Sequence, residues 1–341
     1  MGVNRKMEQA SEIKKILGEG EEQCNALLKQ TLFTVAYYNA LGYYPTSFFI
    51  WKNLIDIKGV GMSHPFNNVI RVVDDLVDGG KMIEHNGIHK LVESKKLKVE
   101  SFSWYKERIQ KDKISTGKIK RVRSWSRASR WVPYLRGLLL TGTLAMKRGG
   151  SNSDWDVLVV LKKDRIWLGR LIFTAWLQLV GKRRHGQKIE NKFCLNQFVV
   201  DKKLKFKEKN EFFSNELLMA EDLMGDVKLK NKIMEKNEKW IKRFKPNFKF
   251  RKRKIGRDRR KFLFLKMIQR KLESVLEVFN LAEMINSISK KVMIHKIINN
   301  PKTYSPGADI RYSDFFLVFL PKPQRMKVKR RTIELLTKMN L

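Results

Sequence analysis

The chain has little cysteine, few acidic residues and no long apolar run, and each shortage excludes a class of protein. Its 341 residues include two cysteines, Cys24 and Cys194, which are far apart and provide neither a disulfide framework nor the spacing of a zinc site. Both are interpreted as buried thiols in a reducing compartment. The most apolar stretch, residues 166–181, contains Arg170 and is too short to cross a bilayer. The sequence predicts a soluble, cytoplasmic protein with no membrane partner.

The shortage of acidic residues leaves a large positive charge. There are 34 Asp and Glu against 72 Lys and Arg, which gives a formal net charge of +38. Such a field attracts polyanions, so nucleic acid is the predicted partner. A generally lysine-rich cytosol, or an effect on solubility, would also produce this composition. The hydrophobic fraction of 43% is typical of a folded protein, and disorder is not expected.

Glycines, prolines and charge runs divide the chain into six predicted segments, and their mixture of helices and strands predicts an α+β fold. The segments are an N-terminal helical segment (1–27), a winged helix (28–93), a basic helical connector (94–132), a domain with a mixed sheet and helices (133–205), a helical extension (206–248) and a basic, mainly helical C-terminal region (249–341).

The winged helix is predicted from three helical segments followed by a hairpin. Asn86-Gly87 between two short alternating runs is a strong hairpin signal, because both central residues of a type I′ turn need positive φ. Such a module can contact DNA or RNA through its third helix and its wing. It can equally serve protein interaction or packing, and Asp74, Asp75 and Asp78 make the third helix a poor surface for phosphates.

Two basic segments also have two interpretations each. In the connector, Trp125 and Trp131 alternate with arginines, which suits stacking on nucleic acid or packing against the next domain. Residues 249–271 hold twelve Lys and Arg and one acid, Asp258. This run is predicted to be a polyanion-binding arm or a solvated segment.

The stretch from Leu140 to Leu161 carries the most specific pattern in the chain. Asp154 and Asp156 flank one tryptophan at the start of a predicted strand, so both carboxylates lie on one face with their Cα atoms about 6.6 Å apart. This spacing suits one or two Mg²⁺ ions bound together with substrate phosphates. A turn at Gly142-Thr143 offers unpaired backbone N–H groups to those phosphates.

An apolar strand, Gly-Thr, about ten residues and then Asp-x-Asp with a second strand resembles the polymerase-β-like nucleotidyltransferase superfamily. The resemblance implies that Gly142 and Thr143 hold a nucleoside triphosphate and that Asp154 and Asp156 bind Mg²⁺. Ser153 also matches the usual residue at its position. Lys147 and Arg148 are predicted to add positive charge near the nucleotide.

More narrowly, the chain resembles uncharacterised bacterial proteins that join an N-terminal winged helix to such a domain. The resemblance covers about residues 28–248 and implies no particular acceptor. It is carried by W-V-P-Y-L-R, G-T-L-A-M, R-R-H-G, F-C-L-N-Q-F and N-E-K-W-I-K-R-F-K-P-N.

One departure from the superfamily leaves two functional hypotheses. The next strand usually supplies a third carboxylate, but here it reads F-C-L-N-Q-F-V-V, and Asn196 is the candidate further metal ligand. General-base catalysis contributes about 10²–10⁴-fold, so an enzyme without it would be slow. The first hypothesis is Mg²⁺-dependent transfer of a nucleoside monophosphate to RNA, protein or a small molecule. The second is a nucleotide-binding regulator that contacts DNA or RNA through the winged helix and the basic segments.

Overall fold

The protein combines helices with one large mixed sheet in the computed structural model, which describes residues 23–59, 61–93, 102–224, 227–250, 263–278, 280–321 and 323–339. Within these ranges the chain forms eleven α-helices, a two-stranded sheet and a six-stranded sheet. The predicted α+β fold class is confirmed. Most of the predicted segment 1–27, and residues 251–262 of the basic run, lie outside the described residues.

Residues 23–91 form three helices and a hairpin, in the predicted order. Asn86 and Gly87 form the hairpin turn with φ of +49° and +73°, as a type I′ turn requires. Val35, Ile50 and Val73 are fully buried in the core that joins the three helices. We refer to these elements as the three-helix module: α1 (Gln23–Ala40), α2 (Ser47–Lys52), α3 (Phe66–Asp78), β1 (Met82–His85) and β2 (Ile88–Leu91).

The remaining elements surround the six-stranded sheet. The helices are α4 (Ser103–Ala128), α5 (Gly142–Ala145), α6 (Ile166–Leu179), α7 (Glu211–Met219), α8 (Val227–Phe244), α9 (Leu263–Val278), α10 (Leu281–Ile298) and α11 (Gln324–Thr337). The strands are β3 (Leu135–Leu140), β4 (Trp155–Leu161), β5 (Phe193–Val200), β6 (Glu221–Asp222), β7 (Asp309–Tyr312) and β8 (Phe316–Leu320).

The sheet has the strand order β6-β3-β4-β5-β8-β7. Strands β4 and β5 are parallel and are connected through helix α6, and the other neighbouring pairs are antiparallel. Strand β4 is buried along almost its whole length, which explains its continuous apolar sequence. Strands β3, β4 and β5 are neighbours inside the sheet, so the residues near their ends lie close together.

The sheet extends outside the predicted domain of residues 133–205. Strand β8 pairs with β5, and β7 completes that edge, although the sequence predicts a mainly helical region there. The apolar run Phe316–Leu320 is only five residues long, and periodicity alone does not distinguish such a run from a buried helical turn. At the other edge, β6 from the predicted helical extension pairs with β3.

Helix α11 packs against the three-helix module. Val328, Leu335 and Leu336 are buried in the same apolar core as Leu32 and Val35 of α1. The module is therefore completed by a helix that follows it by more than 200 residues in the sequence.

Helices α9 and α10 are attached to the rest of the fold by apolar contacts and by acidic residues, two of them in α9. Glu273 accepts two hydrogen bonds of 2.8 Å from the Arg136 guanidinium and one of 2.6 Å from the backbone N–H of Tyr134. Glu277 pairs with Arg165 at 2.7 Å. Several other side chains of these helices are apolar and exposed, among them Phe264, Met267, Val278 and Ile288. Across the described ranges, no helix is both long enough and apolar enough to span a membrane.

Candidate functional site

The turn between β3 and α5 requires glycine at position 142. Gly142 has φ of +65°, a left-handed conformation that residues with a Cβ atom rarely adopt. A Cβ atom at this position would also collide with the Asp156 carboxylate. The backbone N–H of Gly142 donates to Glu216 Oε2 at 3.1 Å. Glycine thus allows the backbone of this turn to lie directly against Asp156.

Asp154 and Asp156 project into one cluster at the start of β4. Trp155 lies between them in the chain and is almost fully buried, because alternate residues of a strand point to opposite faces. The two carboxylates and the thiol of Cys194 each offer one ligand atom, and these three atoms lie within 4.8 Å of one another. The structure therefore brings the two aspartates together as the sequence predicts.

Strand β5 contributes a thiol to this cluster. Cys194 lies opposite Asp156 in the parallel ladder between β4 and β5. Asn196 follows two residues later, and its Nδ2 donates to Asp156 Oδ1 at 3.4 Å. The sequence interpretation selects Asn196 and misses Cys194, which it treats as a structural thiol. Cys194 and Asn196 are two residues apart in one strand, so their side chains point to the same face, and this spacing could have identified Cys194.

A guanidinium group lies against the cluster. Arg184 Nη1 is 2.6 Å from Asp154 Oδ2 and 3.3 Å from Cys194 Sγ. The Arg184 side chain is 44% exposed, whereas that of Asp154 is only 17% exposed. Arg184 therefore supplies positive charge to a more deeply buried carboxylate from the solvent side.

Burial is the first cause of the raised pKa values of Asp156, Cys194 and Glu216. Burial, followed by the charges of Asp154 and Glu216, raises the pKa of Asp156 to about 7. Burial, followed by the charges of Asp156 and Asp154, raises the pKa of Cys194 to about 12. Burial also raises the pKa of Glu216. A bound divalent cation would oppose these shifts by favouring the charged forms.

Glu216 on α7 is a site residue that the sequence interpretation does not identify. It reaches the site from 74 residues beyond Gly142 and accepts the backbone hydrogen bond of the turn. No local motif marks it, because only the packing of α7 over the end of β3 brings the two residues together.

Three of the other predicted nucleotide-binding residues line the same cleft as the aspartates. They are Thr143, Arg148 and Ser153. Arg148 is held in place by a hydrogen bond of 2.7 Å from its Nη1 to the carbonyl oxygen of Leu41, in the three-helix module. Ser153 Oγ accepts a hydrogen bond of 2.9 Å from the backbone N–H of Gly150.

Lys147 does not belong to this group. It has φ of +53° and pairs with Asp112 of α4 across 3.8 Å. Lys147 is also absent from the residues that line the cleft in the described part of the chain. The Lys147 ammonium group therefore lies against α4 and outside the lining of the cleft.

Helix α4 holds the loop that precedes Asp154. Ser115 Oγ accepts a hydrogen bond of 2.9 Å from the backbone N–H of Gly149. The buried Lys118 ammonium donates to the carbonyl oxygens of Ser151 and Ser153, the latter at 3.0 Å. In the same helix Trp125 packs against the core of the sheet. These contacts favour the interpretation of the basic connector as a support for the next domain.

The cluster opens into a cleft of about 1210 Å³ whose other wall comes from the loops after β5 and from β7 and β8. Lys203, Lys205 and Lys302 line this wall, and Lys203 Nζ lies 4.0 Å from the centre of the Phe315 ring. The cleft exceeds the roughly 300–1,000 Å³ of a typical small-molecule pocket, so it has room for two reactants. It thus places a group of carboxylates beside a basic wall.

No family model, curated protein or solved structure matches the chain. Its function is therefore inferred from the geometry of the cleft and from the motif that forms it.

Proposed function

We propose that the protein is a nucleotidyltransferase that transfers a nucleoside monophosphate from an NTP to a hydroxyl acceptor. The observation that carries the proposal is the contact between the Gly142 turn and Asp156. The contact brings the turn close to two carboxylates suited to a divalent cation. The Gly142 N–H, predicted to be unpaired, is bonded to Glu216, so only the N–H groups after it are available to phosphates. The same order of elements gives the chain its resemblance to the polymerase-β-like superfamily.

The donor set of the cluster fits a divalent cation. Asp154 and Asp156 supply carboxylate oxygens, the ligands that Mg²⁺ prefers. When bound, such an ion would neutralise charge on the triphosphate and on the leaving pyrophosphate.

The residues of the chain have separate parts in the proposed reaction. Backbone N–H groups of the turn after Gly142, with the Thr143 hydroxyl and Arg148, hold the phosphates of the NTP. The acceptor hydroxyl attacks the α-phosphorus in line, so that a P–O bond to the acceptor forms as the bond to pyrophosphate breaks. The hydroxyl proton passes to water, because β5 carries no carboxylate to accept it.

An anionic acceptor is favoured by the charge of the protein. The formal net charge is +38, and Lys203, Lys205 and Lys302 line the wall opposite the aspartates. RNA is therefore the first acceptor to test.

A nucleotide-binding regulator is the second candidate function. It is favoured by Cys194 and Asn196, which occupy β5 where the superfamily usually has a carboxylate. In this case the three-helix module would contact DNA or RNA, and nucleotide binding would control that contact.

The decisive experiment incubates the protein with labelled NTPs, RNA and either Mg²⁺ or Zn²⁺. We expect label on RNA, and we expect Asp156→Asn to abolish it. Asp164→Asn is the matched control, because Asp164 is exposed after β4 and has no place in the cluster. Nucleotide binding without transfer, together with sequence-dependent retention of DNA, would support the regulator. A protein that neither binds nor transfers nucleotide would contradict both functions.

A further inference from the structure

We propose that Cys194 is the third protein ligand of the cation at Asp154 and Asp156, and that the site therefore selects a borderline-soft ion such as Zn²⁺ over Mg²⁺. This inference rests on the proposed cation site and adds the identity of the ligand set and of the ion. It replaces the interpretation of Cys194 as a structural thiol.

The geometry of the three side chains supports a shared ion. Asp156 and Cys194 face each other across the parallel strands β4 and β5, and Asp154 precedes β4 on the same face. Their ligand atoms lie within 4.8 Å of one another. Bonds of 2.0–2.3 Å place the ligands of a tetrahedral Zn²⁺ about 3.5 Å apart, so the side chains need to close by roughly 1.3 Å at most.

The position of Arg184 is a second, independent indication that this spot attracts a cation. One guanidinium nitrogen contacts both Asp154 Oδ2 and Cys194 Sγ, so it bridges two of the three ligand atoms. Its side chain is 44% exposed and can withdraw into solvent when an ion takes its place. The withdrawn guanidinium then remains near the cleft, where it can meet a phosphate.

The chemistry of the donor set decides between ions. Mg²⁺ prefers an all-oxygen octahedral shell, and a thiolate in that shell weakens its binding. Zn²⁺ accepts carboxylates and thiolate together, and three protein ligands leave a fourth position open for a substrate oxygen. Coordination removes the thiol proton, which is released to solvent with each ion bound.

Cobalt(II) provides a direct test, because it replaces zinc and its bond to thiolate gives a charge-transfer band in the near ultraviolet. The metal-free full chain is titrated with Co²⁺, alongside Cys194→Ser and the matched control Cys24→Ser. We expect the band in the unaltered chain and in Cys24→Ser, and its loss in Cys194→Ser. In that variant we also expect Zn²⁺ binding to weaken by about tenfold or more, with little change for Mg²⁺.

The outcomes separate this inference from the proposed function. Co²⁺ bound without the charge-transfer band overturns the role of Cys194 and leaves the carboxylate cation site intact. No binding of Co²⁺, Zn²⁺ or Mg²⁺ by the unaltered chain overturns both. If Cys194→Ser fails to fold, protection from alkylation decides the question in the unaltered chain. Zn²⁺ should then slow labelling of Cys194, and labelling at an unchanged rate would contradict ligation.

Discussion

Arg184 and Asp154 form an ion pair of 2.6 Å at the edge of the candidate cation site. One of the two carboxylates is thus already engaged by a cation that the protein itself supplies. An incoming metal ion has to displace this guanidinium, so the pair competes with the metal. The strength of that competition can be measured.

Replacement of Arg184 by alanine is expected to tighten the binding of Zn²⁺ and Mg²⁺. A partly exposed ion pair contributes up to about 1 kcal/mol, which corresponds to roughly a fivefold gain in affinity when the ion no longer has to break it. Isothermal titration calorimetry measures the change. The control is Arg183→Ala, since Arg183 also lines the cleft and tests for a general effect of charge. Unchanged or weaker metal binding by Arg184→Ala would contradict the competition.

Alanine at position 142 is expected to damage the site more than alanine at position 150. Gly142 has φ of +65° and no room for a Cβ atom next to Asp156. Gly150 has ordinary backbone geometry and nothing within 4 Å of an added Cβ atom. The left-handed conformation alone costs about 1–2 kcal/mol in Gly142→Ala. Denaturant unfolding and NTP binding measure both variants, and equal effects would refute the close approach of the turn to Asp156.

Lys118→Met is expected to loosen the loop before Asp154 while the rest of the fold stays intact. The substitution leaves the carbonyl oxygens of Ser151 and Ser153 without their ammonium donor, at a cost of about 1–3 kcal/mol. Hydrogen exchange at residues 149–153 should accelerate, and metal affinity should fall. Lys120→Met changes an exposed residue of the same helix and should leave both quantities unaltered. Exchange that stays slow in Lys118→Met would exclude this support.

The buried Lys245 is expected to make stability depend on pH. Its ammonium group donates to Tyr38 Oη and to the carbonyl oxygen of Asn53, each at 3.0 Å. Burial lowers the pKa of Lys245 well below its usual value, although Glu211 opposes the shift.

Between that lowered pKa and about 10.4, the folded state binds fewer protons than the unfolded state, so stability rises with pH. The stabilisation linked to the deprotonation of Lys245 is complete above about pH 10.4. It is lost as the pH falls toward the lowered pKa of the folded state. In urea unfolding between that lowered pKa and about pH 10.4, the free energy of unfolding should rise with pH relative to Lys245→Met. Lys242→Met, at an exposed position of α8 three residues earlier, should keep the dependence of the unaltered chain. Parallel curves for Lys245→Met and the unaltered chain would contradict the shift.

Leu336→Ala in α11 is expected to destabilise the three-helix module by about 2–5 kcal/mol. Leu336 is 1% exposed in the core that α11 shares with α1. Met326→Ala in the same helix is the control, because Met326 is 51% exposed. Thermal unfolding followed by circular dichroism compares the variants. Equal stability of Leu336→Ala and Met326→Ala would show that α11 contributes little to that core.

Sequence patterns are sufficient to predict the elements whose own residues indicate their conformation. Asn86-Gly87 requires positive φ and predicts the hairpin, and the alternation around Asp154 and Asp156 predicts their common face. Strand β8 carries no such signal, since five apolar residues fit a helix as well as a strand. Strand β8 pairs with the free edge of β5, and that edge exists only once the sheet has folded.

The same limit applies within the site. Glu216 meets the Gly142 turn, and Arg184 meets Asp154, through packing between distant segments. Arg184 belongs to the R-R-H-G motif, but no spacing in the sequence indicates its contact with Asp154. Cys194 is different, because its two-residue offset from Asn196 is visible in the sequence. It is missed because cysteine is usually interpreted as a core residue when no partner for it is evident.

The packing of α11 on α1 also sets the order of events during synthesis. The ribosome synthesises α1 roughly 300 residues before α11. During that interval part of the apolar core of the three-helix module is exposed to solvent. Residues 324–337 have to leave the exit tunnel before that core can close. Until then the growing chain exposes apolar surface, which promotes aggregation.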